Sequence, residues 1–303
     1  MIDRPIVPSG FGDRRPPELT GRELVIGSRG NLGHAVLKCL GHEAHRPSPA
    51  SLDTRDAAAA VQAIRELIPS IEPLDKLTVI FAAGLTDPGA DPDALVEANF
   101  EFPRKIIENF IHADTEPVRF ITLGSALETL DRLAEFNPYL NAKRRLSEWV
   151  SSHEKSFGRV LHLRLHTLFG GHAKDHMFLG QMARSLRNRT AFQMSSGEQI
   201  REYHGVDTVA IELATLVRCQ WLFGPVAYLS HGEPLSLREL AQSIFDHFSC
   251  PELLEIGALA RPDGENTGIR FEPAPEWLRG SSAPDSIRRI QDWLKSLLEN
   301  QSC

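Results

Sequence analysis

The sequence predicts an α/β protein, a doubly wound parallel sheet carrying a smaller C-terminal lobe. Two observations predict it. Short, almost wholly apolar runs bounded by turn residues alternate with longer stretches of helical periodicity, and a glycine-rich turn follows the first of those runs directly. Strands covered by helices on both faces read as continuous apolar runs, which is the signature of a mainly parallel sheet.

The expected strands are residues 23–26, 77–83, 118–123, 160–165 and 226–229, and the expected helices are residues 32–40, 56–68, 93–113, 139–157 and 235–248. Residues 1–22, rich in Pro, Gly and Arg, read as a flexible N-terminal tail. Residues 23–169 form the cofactor domain, to which 206–231 return. Two stretches break the rhythm and form the substrate-binding lobe: 170–205, basic and polar around a helix at Phe178-Leu179, and 232–303, with many Pro and Gly between 251 and 279. Such a lobe would sit over the carboxyl ends of the strands, where open α/β sheets bind their ligands.

A formal net charge of -7 argues against nucleic acid or an anionic membrane as the main partner. The four cysteines, Cys39, Cys219, Cys250 and Cys303, are scattered without CxxC or metal-ligand spacing, which fits a reducing compartment and predicts no metal site. No apolar run approaches membrane-spanning length and the N-terminus lacks a secretory signal, so the expected location is the cytoplasm.

After Glu23-Leu24-Val25-Ile26 the chain must turn sharply into a helix through Gly27-Ser28-Arg29-Gly30-Asn31-Leu32-Gly33. The three glycines permit the turn, a close approach of a pyrophosphate and tight helix packing, while the helix N-terminus faces the phosphates. This is the cradle of a Rossmann-type dinucleotide site. The stretch where NAD-binding chains hold the ribose 2′-hydroxyl with an acidic residue reads Glu43-Ala44-His45-Arg46-Pro47-Ser48. Arg46 and Ser48 suit a 2′-phosphate, and Arg29 could clamp the same group, so NADP is preferred and NAD is the alternative. Arginines simply solvated at the surface are the other reading. Asp53, followed by Thr54, is placed to accept from the adenine amino group, or else to serve as a turn or cap aspartate. Ala82-Ala83-Gly84 offers small residues where backbone could run beneath the cofactor.

Tyr139 and Lys143 stand four apart on one helix face. An ammonium about 5 Å from a phenol, at an effective dielectric of about 20, favours phenolate by about 3 kcal/mol, which predicts a lowered tyrosine pKa. Tyr139 would protonate an oxygen as hydride reaches its carbon, or remove that proton in reverse. Ser125, at a strand's carboxyl end, would donate to the same oxygen.

These residues resemble the extended short-chain dehydrogenase/reductase family, also called the NAD-dependent epimerase/dehydratase family. The resemblance covers nearly the whole chain after the tail. It is carried by Gly27-x-x-Gly30-x-x-Gly33, Ala82-Ala83-Gly84, Asn99, Leu123-Gly124-Ser125-Ala126, Asn137-Pro138-Tyr139 through Lys143, Arg164 through Gly170, Gly232-Glu233-Pro234-Leu235-Ser236-Leu237 and the segment SGEQIREYHGVD at 196–207. It implies a homodimer acting on nucleotide sugars, with Asn99, Leu123 and His166 on the cofactor side. Ser125, Ala126, Thr167, His176, Met177 and Arg201 would face substrate, Arg201 on its diphosphate. Three departures matter. Leu165-His166-Thr167 replaces the family's usual Asn after the strand arginine; the loop between Ser125 and Tyr139 is short; and Ala126-Leu127 stand where sugar dehydratases carry an adjacent Asp-Glu pair, with only Glu128 nearby.

His166, His172, His176 and His204 fall in the part facing substrate, where one could assist proton transfer, although hydrogen-bonding or surface histidines are commoner. The Met177, Phe178, Met182 group at helical spacing reads as lobe core, with a sugar-stacking surface as the alternative. The expected activity is NADP-dependent reduction of a nucleotide-linked keto sugar of the 4-keto-6-deoxyhexose type, with Tyr139 as proton donor. The rivals are a nucleotide-sugar 4-epimerase with retained NAD and a non-catalytic NADP-binding sensor.

Overall fold

A computed structural model describes residues 6–18, 21–41, 56–70, 76–87, 89–111, 117–153, 157–261, 264–265, 267–280 and 285–299. In chain order its elements are β1 (Ile6–Val7), β2 (Gly21–Ile26), α1 (Asn31–Leu40), α2 (Ala57–Leu67), β3 (Lys76–Phe81), α3 (Pro92–Val96), α4 (Phe102–Ile111), β4 (Val118–Ser125), α5 (Asp131–Phe136), α6 (Pro138–Ser152), β5 (Val160–Leu165), β6 (Thr167–Phe169), α7 (Phe178–Asn188), β7 (Phe192–Met194), β8 (Ile200–Arg201), β9 (Tyr203–Gly205), α8 (Val206–Leu216), β10 (Val226–Leu229), β11 (Leu235–Ser236), α9 (Leu237–His247), β12 (Leu254–Ile256), β13 (Arg270–Phe271), α10 (Glu276–Arg279) and α11 (Ser286–Glu299).

Among the described residues the central sheet has five parallel strands in the order β10-β5-β4-β3-β2. Its register stacks side chains in rows across the strands. Leu24, Val79, Phe120 and Val160 share one row and point to the side covered by α2, α4 and α6. The next row, Val25, Ile80, Ile121 and Leu161, points the other way, onto α1 and α8. Because side chains alternate across a strand while helices cover both faces, every position must be apolar, and each such burial contributes about 1.5–3 kcal/mol. A third core belongs to the lobe, where α7, α9 and α11 enclose Met182, Phe192, Tyr203, Phe245 and Ile290. Helix α11 was not anticipated, although Ile287, Ile290, Leu294 and Leu297 recur at helical spacing.

The leading segment is not a free tail where it is described. Ile6–Val7 pairs with β13, Tyr228 N–H donates to Ser9 O at 2.8 Å, and the Phe11 ring packs 5.0 Å from Phe223 and 6.2 Å from Trp277. Strand β10 is the edge of the described sheet, so its outward N–H groups need partners, and the segment supplies one. No described helix is long and apolar enough to cross a membrane.

Candidate active site

The carboxyl ends of the central strands meet along one edge, and the residues of interest gather there. Gly27 follows β2 with a φ of 91°, and a Cβ on it would stand 2.3 Å from Ala83 N. Only glycine meets both conditions. A Cβ on Gly33 would stand 2.2 Å from Gly27 O, so the helix can pack this tightly on the turn only without one. Gly30 closes the turn by donating its N–H to Gly27 O at 3.0 Å and is the N-cap of α1, with no side chain capping the helix. The opening N–H groups of α1, from Asn31, Leu32 and Gly33, are left for a ligand at the positive end of the helix dipole. A cradle emptied of side-chain volume, lined by uncapped N–H groups, fits a dinucleotide pyrophosphate.

Ser28 and Arg29 complete the turn, and Arg29 is exposed. Arg46, Ser48, Asp53 and Thr54 lie outside the described residues, so Arg29 is the described candidate for a 2′-phosphate. Asn31 has its side chain committed elsewhere: it donates to Gly170 O at 3.3 Å and His172 O at 3.0 Å, tying the loop after β6 to the cradle. Lys174 carries that loop further, donating to Thr86 Oγ1 at 2.6 Å beyond the end of β3.

Behind the crevice, a turn of π-helix at Glu97–Glu101 presents Asn99 inward. Its amide donates to Leu85 O and Leu95 O at 2.8 and 2.9 Å, while its Oδ1 is buried without a partner among the described residues. A Cβ on Gly84 would lie 2.8 Å from that oxygen and 3.7 Å from Lys143 Nζ, so Gly84, Asn99 and Lys143 converge as a group.

Helix α6 starts where the sequence places it. Asn137 caps it by accepting from Leu140 N at 3.1 Å, and Pro138 occupies the first turn, which puts Tyr139 at the helix entrance with Lys143 one turn on. The Lys143 ammonium lies 5.8 Å from the Tyr139 ring centroid. At that range the ammonium favours phenolate by about 3 kcal/mol. Burial outweighs it: desolvation, reinforced by the charge of Glu128, raises the Tyr139 pKa, and desolvation pushes Lys143 down to about 8 against the opposing pull of Glu128. The direction at Tyr139 is opposite to the lowering that the spacing predicts, for a side chain that is half-buried.

Ser125 ends β4 and caps the turn that follows by accepting from Leu127 N at 3.2 Å. With a lone pair engaged by a backbone N–H, the hydroxyl proton remains free to donate. Sequence reasoning notes Glu128 only as the acid near the missing Asp-Glu pair, although Ser125-Ala126-Leu127-Glu128 has the S-x-x-E spacing of a capping box. Its Oε2 accepts from Ser125 N at 2.9 Å, and its Oε1 accepts from Arg164 Nε at 2.6 Å and faces His162 Nε2 at 3.1 Å. Burial alone would raise this carboxyl, but His162, Arg164 and the Ser125 N–H together hold it down at about 2.

The expected substrate-facing residues differ widely in exposure. Ala126 is buried behind Ser125, Thr167 opens β6 and donates its N–H to Glu202 O at 3.1 Å, and His176 and Met177 are exposed at the entrance of α7. Arg201 is half-buried and ion-paired to Glu265, with a further bond to Ile200 O at 2.8 Å. Instead of standing open to the crevice, the His166 side chain is only 6% exposed, its ring 4.8 Å from Phe271 and 5.1 Å from His204. It joins a buried group in which His204 and His231 stack at 3.7 Å, Glu202 accepts from Ser230 Oγ and His231 N, and His231 Nε2 lies 2.8 Å from Glu212. Sequence reasoning gave no hint of this group beyond the individual histidines, because its members come from four separate segments.

Residues 24–218 match the model of the NAD dependent epimerase/dehydratase family. The chain belongs to this family. As an epimerase/dehydratase family member it is an NAD(P)-dependent enzyme, and its fold recurs in solved structures of low sequence identity. A UDP-N-acetylglucosamine 4-epimerase from Methanobrevibacter ruminantium is 14% identical with a TM-score of 0.69, covering 93% of this chain and 99% of its own. A dTDP-glucose 4,6-dehydratase from Streptomyces venezuelae is 14% identical with a TM-score of 0.70, covering 93% and 98%. A dTDP-4-dehydrorhamnose reductase from Bacillus anthracis is 18% identical with a TM-score of 0.68, covering 92% and 100%. No curated protein matches the sequence.

Proposed function

We propose that this enzyme reduces the ketone of a nucleotide-linked keto sugar, of the 4-keto-6-deoxyhexose type, to the alcohol with NADPH. The observation that carries the reading is a pair of hydroxyls at the strand edge: Ser125, which accepts from Leu127 N and keeps its own proton to donate, and Tyr139 at the entrance of α6, with the Lys143 ammonium 5.8 Å from its ring. Two donors suit the oxygen of a ketone, on which negative charge develops as the carbon is reduced. Elimination of water is disfavoured because Ala126 and Leu127 stand where a dehydratase needs an acid pair.

The substrate class comes from the company the fold keeps. The structural neighbours include a reductase of dTDP-4-dehydrorhamnose in complex with NADP and an epimerase in complex with UDP-N-acetylmuramic acid. Gly27, Gly30 and Gly33 would cradle the pyrophosphate, Ala82-Ala83-Gly84 would run beneath it, and Lys143 would hold the nicotinamide ribose. When bound there, the reduced nicotinamide supplies the hydride. Tyr139 gives its proton to the substrate oxygen, Ser125 holds that oxygen in place, and solvent restores the tyrosine proton. Arg29 favours NADPH over NADH, and Arg201 would exchange Glu265 for the substrate diphosphate.

Consumption of NADPH and NADH across a panel of UDP-, dTDP-, CDP- and GDP-linked 4-keto sugars tests the proposal. Stoichiometric alcohol formation with at least about tenfold preference for NADPH is expected, a ratio equal to about 1.4 kcal/mol of phosphate recognition. Interconversion of sugar epimers without net cofactor use, with NAD carried through purification, would replace it with the epimerase reading.

A further inference from the structure

The loop between β6 and α7, residues 170–177, is held along its course, and one of its side chains has no task in the chemistry above. Gly170 and Gly171 turn it with φ of 109° and 63°. A Cβ on Gly171 would stand 2.9 Å from Asn31 Cγ, so the loop lies directly against the first residue of α1. Asn31 engages it with both ends of its amide: Nδ2 donates to Gly170 O and His172 O, and Oδ1 accepts from His172 N at 3.4 Å. From α11, Trp293 Nε1 donates to Gly171 O at 3.2 Å, and Met177 N donates to Lys174 O at 2.9 Å. A Cβ on Gly180 would stand only 2.0 Å from Lys174 O, so α7 carries a glycine where the Lys174 backbone is seated. Lys174 Nζ then donates to Thr86 Oγ1 at 2.6 Å, just beyond Gly84 in the chain. The loop therefore ties the connection after β2 to the connection after β3, the two segments whose close contact at Gly27 and Ala83 makes the floor of the cradle.

We propose that Lys174 is a cofactor-binding residue: the loop at 170–177 delivers its ammonium to the dinucleotide pyrophosphate, for which it leaves Thr86. The inference rests on the turn from Gly27 to Gly33 as the pyrophosphate cradle, and not on which sugar is reduced. A pyrophosphate diester is a dianion, whereas the opening turn of α1 offers only about half a positive charge. The other cations near the cradle are placed for other groups, Arg29 for a 2′-phosphate and Lys143 beside Tyr139. Lys174 is within reach of the gap they leave. It stands at most about 7 Å of chain beyond His172, and His172 O is bound to the side chain of Asn31, whose own N–H is among those that open α1. A flexible four-carbon stem lets the ammonium turn from Thr86 to a neighbouring acceptor. Its charge is not spent elsewhere: Lys174 forms no ion pair among the described residues, and its partner is a neutral hydroxyl. Of the acids beside it, Asp87 turns its carboxylate to Gly89 N at 2.9 Å and Asp175 is exposed to solvent. A phosphate oxygen is a stronger acceptor for an ammonium than a hydroxyl is, because both partners are then charged.

The test is binding of NADPH and of NADH, followed by fluorescence without any sugar present, to the parent, Lys174→Met, Lys174→Arg and Thr86→Val. Lys174 is exposed, so its variants should fold as the parent does. Because the two cofactors share the pyrophosphate, Lys174→Met should weaken both alike, by at least about tenfold, and make both less sensitive to salt. Lys174→Arg keeps the charge and should hold both within about threefold of the parent. Thr86→Val removes the resting partner alone and should leave both dissociation constants within about twofold, or lower them. Parent-like binding by Lys174→Met overturns the proposal, and so does a loss confined to NADPH, which would put the lysine on the 2′-phosphate. An equal loss in Thr86→Val overturns it as well, since the lysine would then serve only to pin the loop. Binding lost in Gly27→Ala but kept in Lys174→Met refutes the lysine and spares the cradle; binding kept in Gly27→Ala refutes the cradle and the proposal with it. A Lys174 effect in a protein that reduces no keto sugar would sink the substrate reading and leave the lysine's role standing.

Discussion

Gly27 carries two constraints at once, a left-handed backbone and an Ala83 amide where its side chain would be. A left-handed non-glycine residue costs about 1–3 kcal/mol, and the clash adds to it. Gly27→Ala should lower stability by about 2 kcal/mol or more in urea denaturation and abolish NADPH binding by fluorescence, whereas an unchanged midpoint with normal binding would contradict the described turn. The glycines and the Tyr139/Lys143 pair were legible in the sequence because local rules of turn and helix spacing fix them. The direction in which its surroundings push the Tyr139 pKa was not legible. It is set by desolvation around the phenol and by the charge of Glu128, and an i,i+4 spacing encodes neither. Glu128 itself was half legible: its capping-box spacing is local, whereas its bonds to His162 and Arg164 cross to β5.

At the scale of elements, the central strands could be read from the sequence to within a few residues, because a strand covered on both faces admits few polar side chains. The break in the helix expected over 93–113 could not be read. A π turn at Glu97–Glu101 interrupts it without disturbing the apolar face, and this turn is what delivers Asn99 to Gly84 and Lys143. Helix α11 lay in a stretch whose Pro and Gly content upstream drew attention away from its apolar repeat. Strand β1 has two residues and a partner 264 positions along the chain, Ile6 against Arg270, so no local pattern announces it. The leading segment's docking on β10 likewise depends on an edge that exists only in the folded sheet.

For the whole molecule, the buried acid and imidazole groups predict an acid-sensitive fold. Burial, outweighed by the surrounding imidazoles and N–H groups, leaves Glu202 at about 2, while burial drives His204 down to about 3 and lowers His166. Each folded value lies below the unfolded one, so each group contributes stability that is present above its unfolded pKa and lost as pH falls toward its folded pKa. Glu212, raised by burial, works in the opposite sense but is outnumbered. Thermal midpoints should therefore decline as pH drops below about 6.5, where the histidines begin to charge in the unfolded chain, and more steeply below about 4.5 as Glu128 and Glu202 join. A midpoint flat from pH 7 to pH 4 would contradict this. The account as a whole depends on Tyr139 giving its proton within a cofactor cradle that does not need it. The most direct measurement is turnover and NADPH affinity of Tyr139→Phe: a loss of at least about a hundredfold in kcat with the NADPH dissociation constant within about twofold is predicted, and undiminished turnover would contradict it.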